Sequence, residues 1–168
     1  IQQYEDALRL CRHYNNEGEV PHIYHGLCVA YRYTGDFVKA CIAGEDALQL
    51  YRQHQDRAHE ARMHNILGRI QFLLGDYRQA ADHYTESLAI ATNYNGATLI
   101  MVDCAGLAEL RLAEGRLEEA RRYCQLAQET MVRSDDVHMR GCTLLTIGKV
   151  AREEAHQAQG ERRQHLLE

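Results

Sequence analysis

The chain contains a single proline, Pro21, no tryptophan, and no stretch rich in serine and glycine. With nothing that resembles a linker, its 168 residues are expected to form one domain spanning 1–168. No apolar run approaches the ~18 residues that cross a bilayer, and no signal peptide is visible, so a membrane role is not expected. A net charge of −5 gives no overall reason to expect contact with nucleic acid or an anionic membrane. The six cysteines (Cys11, Cys28, Cys41, Cys104, Cys124 and Cys142) include no C-x2-C pair, and reduced thiols in a cytoplasmic protein fit them best. Ten histidines invite a metal reading. Yet His59-Glu60-x3-His64 has one residue too many for the zinc-protease spacing, and no cysteine or acidic ligand cluster accompanies it or the pair His22/His25. These histidines are therefore expected on the surface or in a groove. No glycine-rich phosphate loop follows a strand. No catalytic residue, metal or cofactor is expected.

What the chain does have is a register. Gly35, Gly75 and Gly115 stand forty residues apart in matching surroundings: Leu27-Cys28-x2-Tyr31-x3-Gly35-Asp36-Phe37-x2-Ala40, then Leu67-Gly68-x6-Gly75-Asp76-Tyr77-x2-Ala80, then Leu107-Ala108-x6-Gly115-Arg116-Leu117-x2-Ala120. Ala7-Leu8, Ala47-Leu48 and Ser87-Leu88 keep the same phase, and Ile147-Gly148 continues the series from Leu27. A fixed period of this size marks a solenoid, whose units are each too small to bury an apolar face alone and so stack on their neighbours. The register implies partial units at 1–20 and 141–168 around full ones at 21–60, 61–100 and 101–140. The chain is therefore expected to be a piece of a longer protein.

Apolar residues recur at helical spacing, as in Ile66, Ile70, Leu73, Leu74 and in Tyr77, Ala80, Ala81, Tyr84, Leu88, Ala91. Each Gly-Asp pair ends one helix and caps the next, because glycine accepts a left-handed backbone and aspartate accepts from orphan N–H groups. Further breaks fall at Asn15-Asn16-Glu17-Gly18, Gln55-Asp56, Asn93-Tyr94-Asn95-Gly96 and Ser134-Asp135-Asp136. Together they predict an all-α chain of about nine helices, over 1–13, 20–34, 37–54, 57–74, 77–92, 97–114, 117–132, 136–154 and 157–168. Cys28, Gly68, Ala108 and Gly148 share a position that wants a small residue, and Ala40, Ala80 and Ala120 share another. Tyr4, Tyr14, Tyr24, Tyr31 and Tyr33 are read as packing residues.

These positions resemble the tetratricopeptide repeat, with its W-x2-L-G-x2-Y, glycine turn and A-x3-F pattern. Tyr24-x2-Leu27-Cys28-x2-Tyr31 resembles the first half, with tyrosine for tryptophan, and Ala80-x3-Tyr84 the second. The unit is forty residues instead of about 34 and lacks the terminal proline, which fits longer helices. HEAT and armadillo repeats have comparable periods without the Leu-Gly, Gly-Asp-Tyr and Ala pattern. The resemblance implies a right-handed superhelical solenoid of antiparallel helix pairs that binds a peptide or protein. Segments such as Leu112-Ala113-Glu114-Gly115-Arg116-Leu117-Glu118-Glu119-Ala120 look like those of bacterial transcription regulators that sense peptides.

The resemblance also implies where a ligand would lie, in a concave groove lined by the first helix of each pair. Carried over by position, the candidates are His22, His25, Val29 and Arg32; Arg62, Asn65, Arg69 and Phe72; Val102, Ala105, Glu109 and Leu112; and Cys142, Leu145, Lys149 and Arg152. Arg62, Asn65 and Arg69 share one helical face. Asparagine can match a peptide unit and arginine can fork onto a carboxylate. The competing reading leaves both arginines solvated and Asn65 capping a loop. The implied alternatives to a regulator are a constitutive scaffold that self-associates, as a homodimer through the Ile1 or Glu168 end, or the accessory helical domain of a signalling ATPase or phosphatase.

Overall fold

The computed structural model describes residues 1–14 and 16–165. Among these are eight α-helices: α1 (Gln2–His13), α2 (Val20–Thr34), α3 (Phe37–Gln53), α4 (Arg57–Leu74), α5 (Tyr77–Asn93), α6 (Ala97–Ala113), α7 (Leu117–Met131) and α8 (Val137–His165). The all-helical, repeat-paired expectation holds. The chain divides into two compact units, 1–91 and 92–168.

The short turns follow from the residues predicted to make them. Gly35, Gly75 and Gly115 adopt φ of 80°, 81° and 74°, a left-handed conformation that costs glycine nothing and a side chain about 1 kcal/mol or more. The next residue then starts the following helix. Asp36 Oδ1 accepts from Lys39 N at 3.2 Å and Asp76 Oδ1 from Gln79 N at 3.0 Å. Arg116, in the third such position, makes no side-chain cap. Between repeats, Gln55 and Asn95 take positive φ themselves, and Asp56 caps α4 by accepting from His59 N at 3.1 Å.

In the first unit the core joins Leu27, Cys28, Ala40, Ala47, Leu48, Tyr51, Met63, Leu67 and Ile70. In this unit small residues stand where helices touch, whereas Gly148 of the same register has nothing within 4 Å of a Cβ built there. A Cβ on Gly68 would stand 3.0 Å from the Tyr84 ring of α5, and one on Gly44 would stand 2.7 Å from Leu67. Ala40 and Ala80 are fully buried. Ser87, also fully buried, donates to the Ala61 carbonyl at 2.9 Å, tying α5 to α4. The second unit packs Ala108, Ala120, Cys124 and Val150 together, with Leu112, Leu117, Tyr123 and Ile147 against them.

Three expectations need correction. The break predicted after residue 154 is absent: α8 runs unbroken from Val137 to His165. Ala155 occupies the register place of Gly35, Gly75 and Gly115, so no left-handed stop is available, and the described residues form eight helices where nine were expected. The remainder of the expected 157–168 helix (166–168), like Asn15 of the first break, lies outside the described residues. Tyr14 and Tyr33 are not packing residues, being 73% and 77% exposed, whereas Tyr4 lies against Gly26 of α2. Leu73 and Leu74, at the solvent end of α4, are about half exposed, 46% and 49%.

Candidate binding face

In the first unit, α2 and α4 are the first helices of successive pairs, and α3 lies between them in sequence and packs on both. Tyr51, near the end of α3, is buried to 1% and carries its hydroxyl to α2. There it meets His22 Nδ1 at 3.1 Å and His25 Nδ1 at 3.3 Å. A phenol donates one hydrogen bond, so one ring accepts it while the other donates from Nδ1 to the phenol oxygen. His59, from the first turn of α4, stacks on the Tyr51 ring at 5.1 Å and meets His22 edge-on at 4.9 Å. Its Nδ1 lies 2.8 Å from Asp56 Oδ2.

The electrostatics match this crowding. Burial, then His59, Arg62 and His22, push the His25 pKa down to about 4. The Tyr51 phenol is pushed up to about 12 by burial and by Asp56, against the opposing pull of Arg62. His22 and His25 of α2 are therefore brought together around Tyr51 and His59, with Arg62 of α4 close enough to lower His25. Tyr51 and His59 were not among the candidates. Tyr51 sits on the second helix of its pair, outside the positions searched, and His59 lies one turn before them on α4.

The other candidates lie elsewhere. Arg32 stacks over Tyr33 at 4.5 Å, and its Nε is buried with no hydrogen-bond partner. Arg69 sits 5.4 Å over the Phe72 ring, which in turn stacks on Tyr77 of α5 at 5.5 Å. Asn65 is partly buried on α4, one turn beyond Arg62. In the second unit, Lys149 of α8 pairs with Glu109 of α6 at 2.5 Å, while Arg152 is exposed. Val102 and Leu112 are partly buried, and Ala105 is buried to 8%, which leaves it little to offer a ligand. Cys142 and Leu145 are exposed, the latter by 70%. A shallow depression lined by Glu118, Glu119, Arg122, Tyr123 and Leu126 belongs to α7 alone and takes in none of the candidates.

One histidine departs from the surface-or-groove expectation. His64 is 4% exposed and Glu60 3%, both on the inward side of α4. Glu60 accepts from Arg52 Nε at 3.0 Å and from Arg57 Nη1 at 2.6 Å. The register held part of the signal: Glu60 shares its position with Val20 and Ile100, though also with Arg140, and His64 with Tyr24, Cys104 and Leu144. Polar residues where the two adjoining units hold other types mark this buried network.

The family profile of the tetratricopeptide repeat matches residues 19–93, the stretch that contains α2, α3, α4 and α5 and the whole of this histidine–tyrosine face. The match covers a little under half of the chain and shows the likeness over that stretch. Among solved structures, the crystal structure of the apo form of RapI is similar with a TM-score of 0.80 and 18% identity, over 91% of this chain and 56% of that one. The crystal structure of BtubC from P. vanneervenii is similar with a TM-score of 0.64 and 18% identity, over 88% of this chain and 64% of that one. At 18% identity these likenesses carry the fold, and the chain spans little more than half the length of the RapI chain. No curated protein sequence matches the chain. Tetratricopeptide repeats serve protein–protein interaction, and among the described residues no helix is long and apolar enough to cross a membrane.

Proposed function

We propose that this chain binds a peptide or protein segment in a groove lined by its first helices, and that it is the sensing part of a bacterial transcription regulator. The carrying observation is the meeting of His22 and His25 with His59 around Tyr51, one turn before the exposed Arg62 of α4, which supports a shared donor face on α2 and α4. Arg62 is exposed and can fork onto a carboxylate, and Asn65 one turn on can answer a peptide unit. An acidic segment or a free C-terminus suits this lining. The reading treats 1–168 as one repeat domain and assigns it no catalytic step, no cofactor and no contact with nucleic acid; a cytoplasmic location goes with it.

The test is a panel of labelled acidic peptides, each with a free and with an amidated C-terminus, titrated by fluorescence anisotropy. Binding by members of the panel should weaken by about 0.5–1.5 kcal/mol in Asn65→Ala, one hydrogen bond's worth, and by more in Arg62→Ala. Affinities unchanged in both variants would sink the assignment.

A second reading, self-association, is favoured by one feature of α8. Gly148 holds the register position that Tyr84 covers at Gly68, yet nothing lies within 4 Å of a Cβ built there or at Gly141. Leu144 and Leu145 beside them are 54% and 70% exposed. Sedimentation equilibrium of the chain and of Leu145→Glu tests it. A dimer dispersed by the charge supports self-association, and a monomer in both refutes it.

A further inference from the structure

Three helices of the first unit meet at a chain of hydrogen bonds with one consistent proton arrangement. Arg52 of α3 approaches His64 Nε2 at 3.0 Å, and because a guanidinium only donates, that nitrogen must accept. A neutral His64 then carries its proton on Nδ1. The Nδ1 of His83, on α5, stands 3.0 Å away and must accept it. The His83 proton is thereby placed on Nε2, which faces Glu45 of α3 at 3.9 Å. The pair is well enclosed: His64 is 4% exposed and the His83 side chain 15%.

No further proton fits this arrangement. A second proton on His64 would set Nε2–H against the Arg52 N–H. A second proton on His83 would set two Nδ1–H groups against each other. If His64 changed tautomer to avoid that, the Arg52 contact would be lost. The charged groups around the pair are Glu45 and Arg52 on α3, Arg57 and Glu60 on α4, and Asp82 on α5. Glu60 does not relieve the conflict, because it is already engaged by Arg52 and Arg57. Glu45 and Asp82 favour a charged His83, but only at the expense of the His64 bond.

We propose that the Arg52–His64–His83 chain is an acid-sensitive joint that holds α5 against α4 and α3 and releases it when either ring takes a second proton. The electrostatics agree in direction. Burial, then His83 and Arg52, push His64 from 6.5 down to about 4, and burial lowers His83 as well. A histidine whose folded pKa lies below its unfolded value binds fewer protons when folded. Its contribution is complete above the unfolded value and is lost as pH falls from about 6.5 towards 4.

The experiment is urea unfolding of the whole chain from pH 7.5 to 4.5, for the parent and for His64→Gln, whose amide keeps one donor and one acceptor but cannot charge. With the shift of His64, the joint should cost the parent roughly seventyfold in folding equilibrium constant across that range. The variant should escape most of that loss. His25, lowered to about 4 as well, titrates equally in both proteins and cancels. A pH profile in His64→Gln that parallels the parent would overturn the proposal. Should the variant fail to fold, ring nitrogen spectra of the parent decide. Nδ1–H on His64 with Nε2–H on His83 supports the joint, whereas the opposite tautomers, or ordinary titration near 6.5, refute it. Amide exchange corrected for intrinsic rate should accelerate at pH 4.5 around His83 to Ser87 more than in α2. Uniform acceleration would refute selective release.

Discussion

Gly68 and Gly148 hold the same place in the forty-residue register, and their surroundings predict opposite outcomes for one substitution. Alanine in a helix interior is favoured over glycine by about 1 kcal/mol through backbone entropy. At Gly148 nothing lies within 4 Å of the new Cβ, so the whole gain should appear. At Gly68 the Cβ would meet Tyr84 Cδ1, Cε1 and Cγ at 3.0, 3.1 and 3.2 Å, well inside the ~3.5–4.0 Å at which carbon contacts are favourable. Tyr84 is only 2% exposed and has no free side to retreat towards. Overpacking of this kind costs about 1–3 kcal/mol. Subtracting the propensity gain leaves Gly68→Ala between neutral and about 2 kcal/mol destabilising. The two variants should therefore differ by about 1–3 kcal/mol. Urea unfolding followed by circular dichroism, with the slopes fitted, measures this directly. If Gly68→Ala stabilises as much as Gly148→Ala, the small residue is not there to admit α5, and the account of the repeat contact fails.

Removing the Glu60 carboxylate leaves Arg52 and Arg57 without their shared partner, so Glu60→Ala should destabilise by about 1.5–3 kcal/mol in the same assay; a change under about 0.5 kcal/mol would mean that the carboxylate is dispensable. Asp56→Ala loses both the α4 cap and the His59 contact and should cost about 1 kcal/mol, read as a lower urea midpoint. Thiol labelling separates the cysteines: Cys142 is exposed and should react first. Burial pushes Cys28 and Cys104 up to about 12 and Cys124 to about 11, so these should label only on unfolding, as mass spectrometry of time points would show. Early labelling of Cys28 would contradict its place in the core.

The fold was legible because its determinants are local and repeated. Glycine at a left-handed turn and alanine where two helices touch recur in three copies in phase, and aspartate accepting from the next helix recurs in two of them, which removes accidents. The eight-helix outcome shows the same rule from its failing side. The register carried on to Gly148, but Ala155 lacks the one property that ends a helix there, and α8 continues. A pattern of apolar positions says that helices pair; the stop residue says where. Tyr14 and Tyr33 show a second limit, since a large aromatic at helical spacing does not reveal which side of the helix its neighbours cover.

The candidate site was legible only in part, and the reason is geometric. Positions facing a groove can be carried over from one helix to its counterpart, which is how His22, His25 and Arg62 were reached. Tyr51 could not be, because it enters from the intervening helix and matters through contacts twenty-nine and twenty-six residues away. The buried network needed a different question of the same register: not which residues face outward, but which polar residues occupy places that the two adjoining units fill with other residue types. Glu60 and His64 answer it, standing where Val20, Ile100, Tyr24 and Cys104 stand in the neighbouring units. A polar group there incurs desolvation and persists only with its hydrogen bonds satisfied. Arg52, Arg57 and His83 satisfy them, and each can do so in one protonation state. The departure from the repeat thus carries a pH dependence, set where Arg52 of α3, His64 of α4 and His83 of α5 meet.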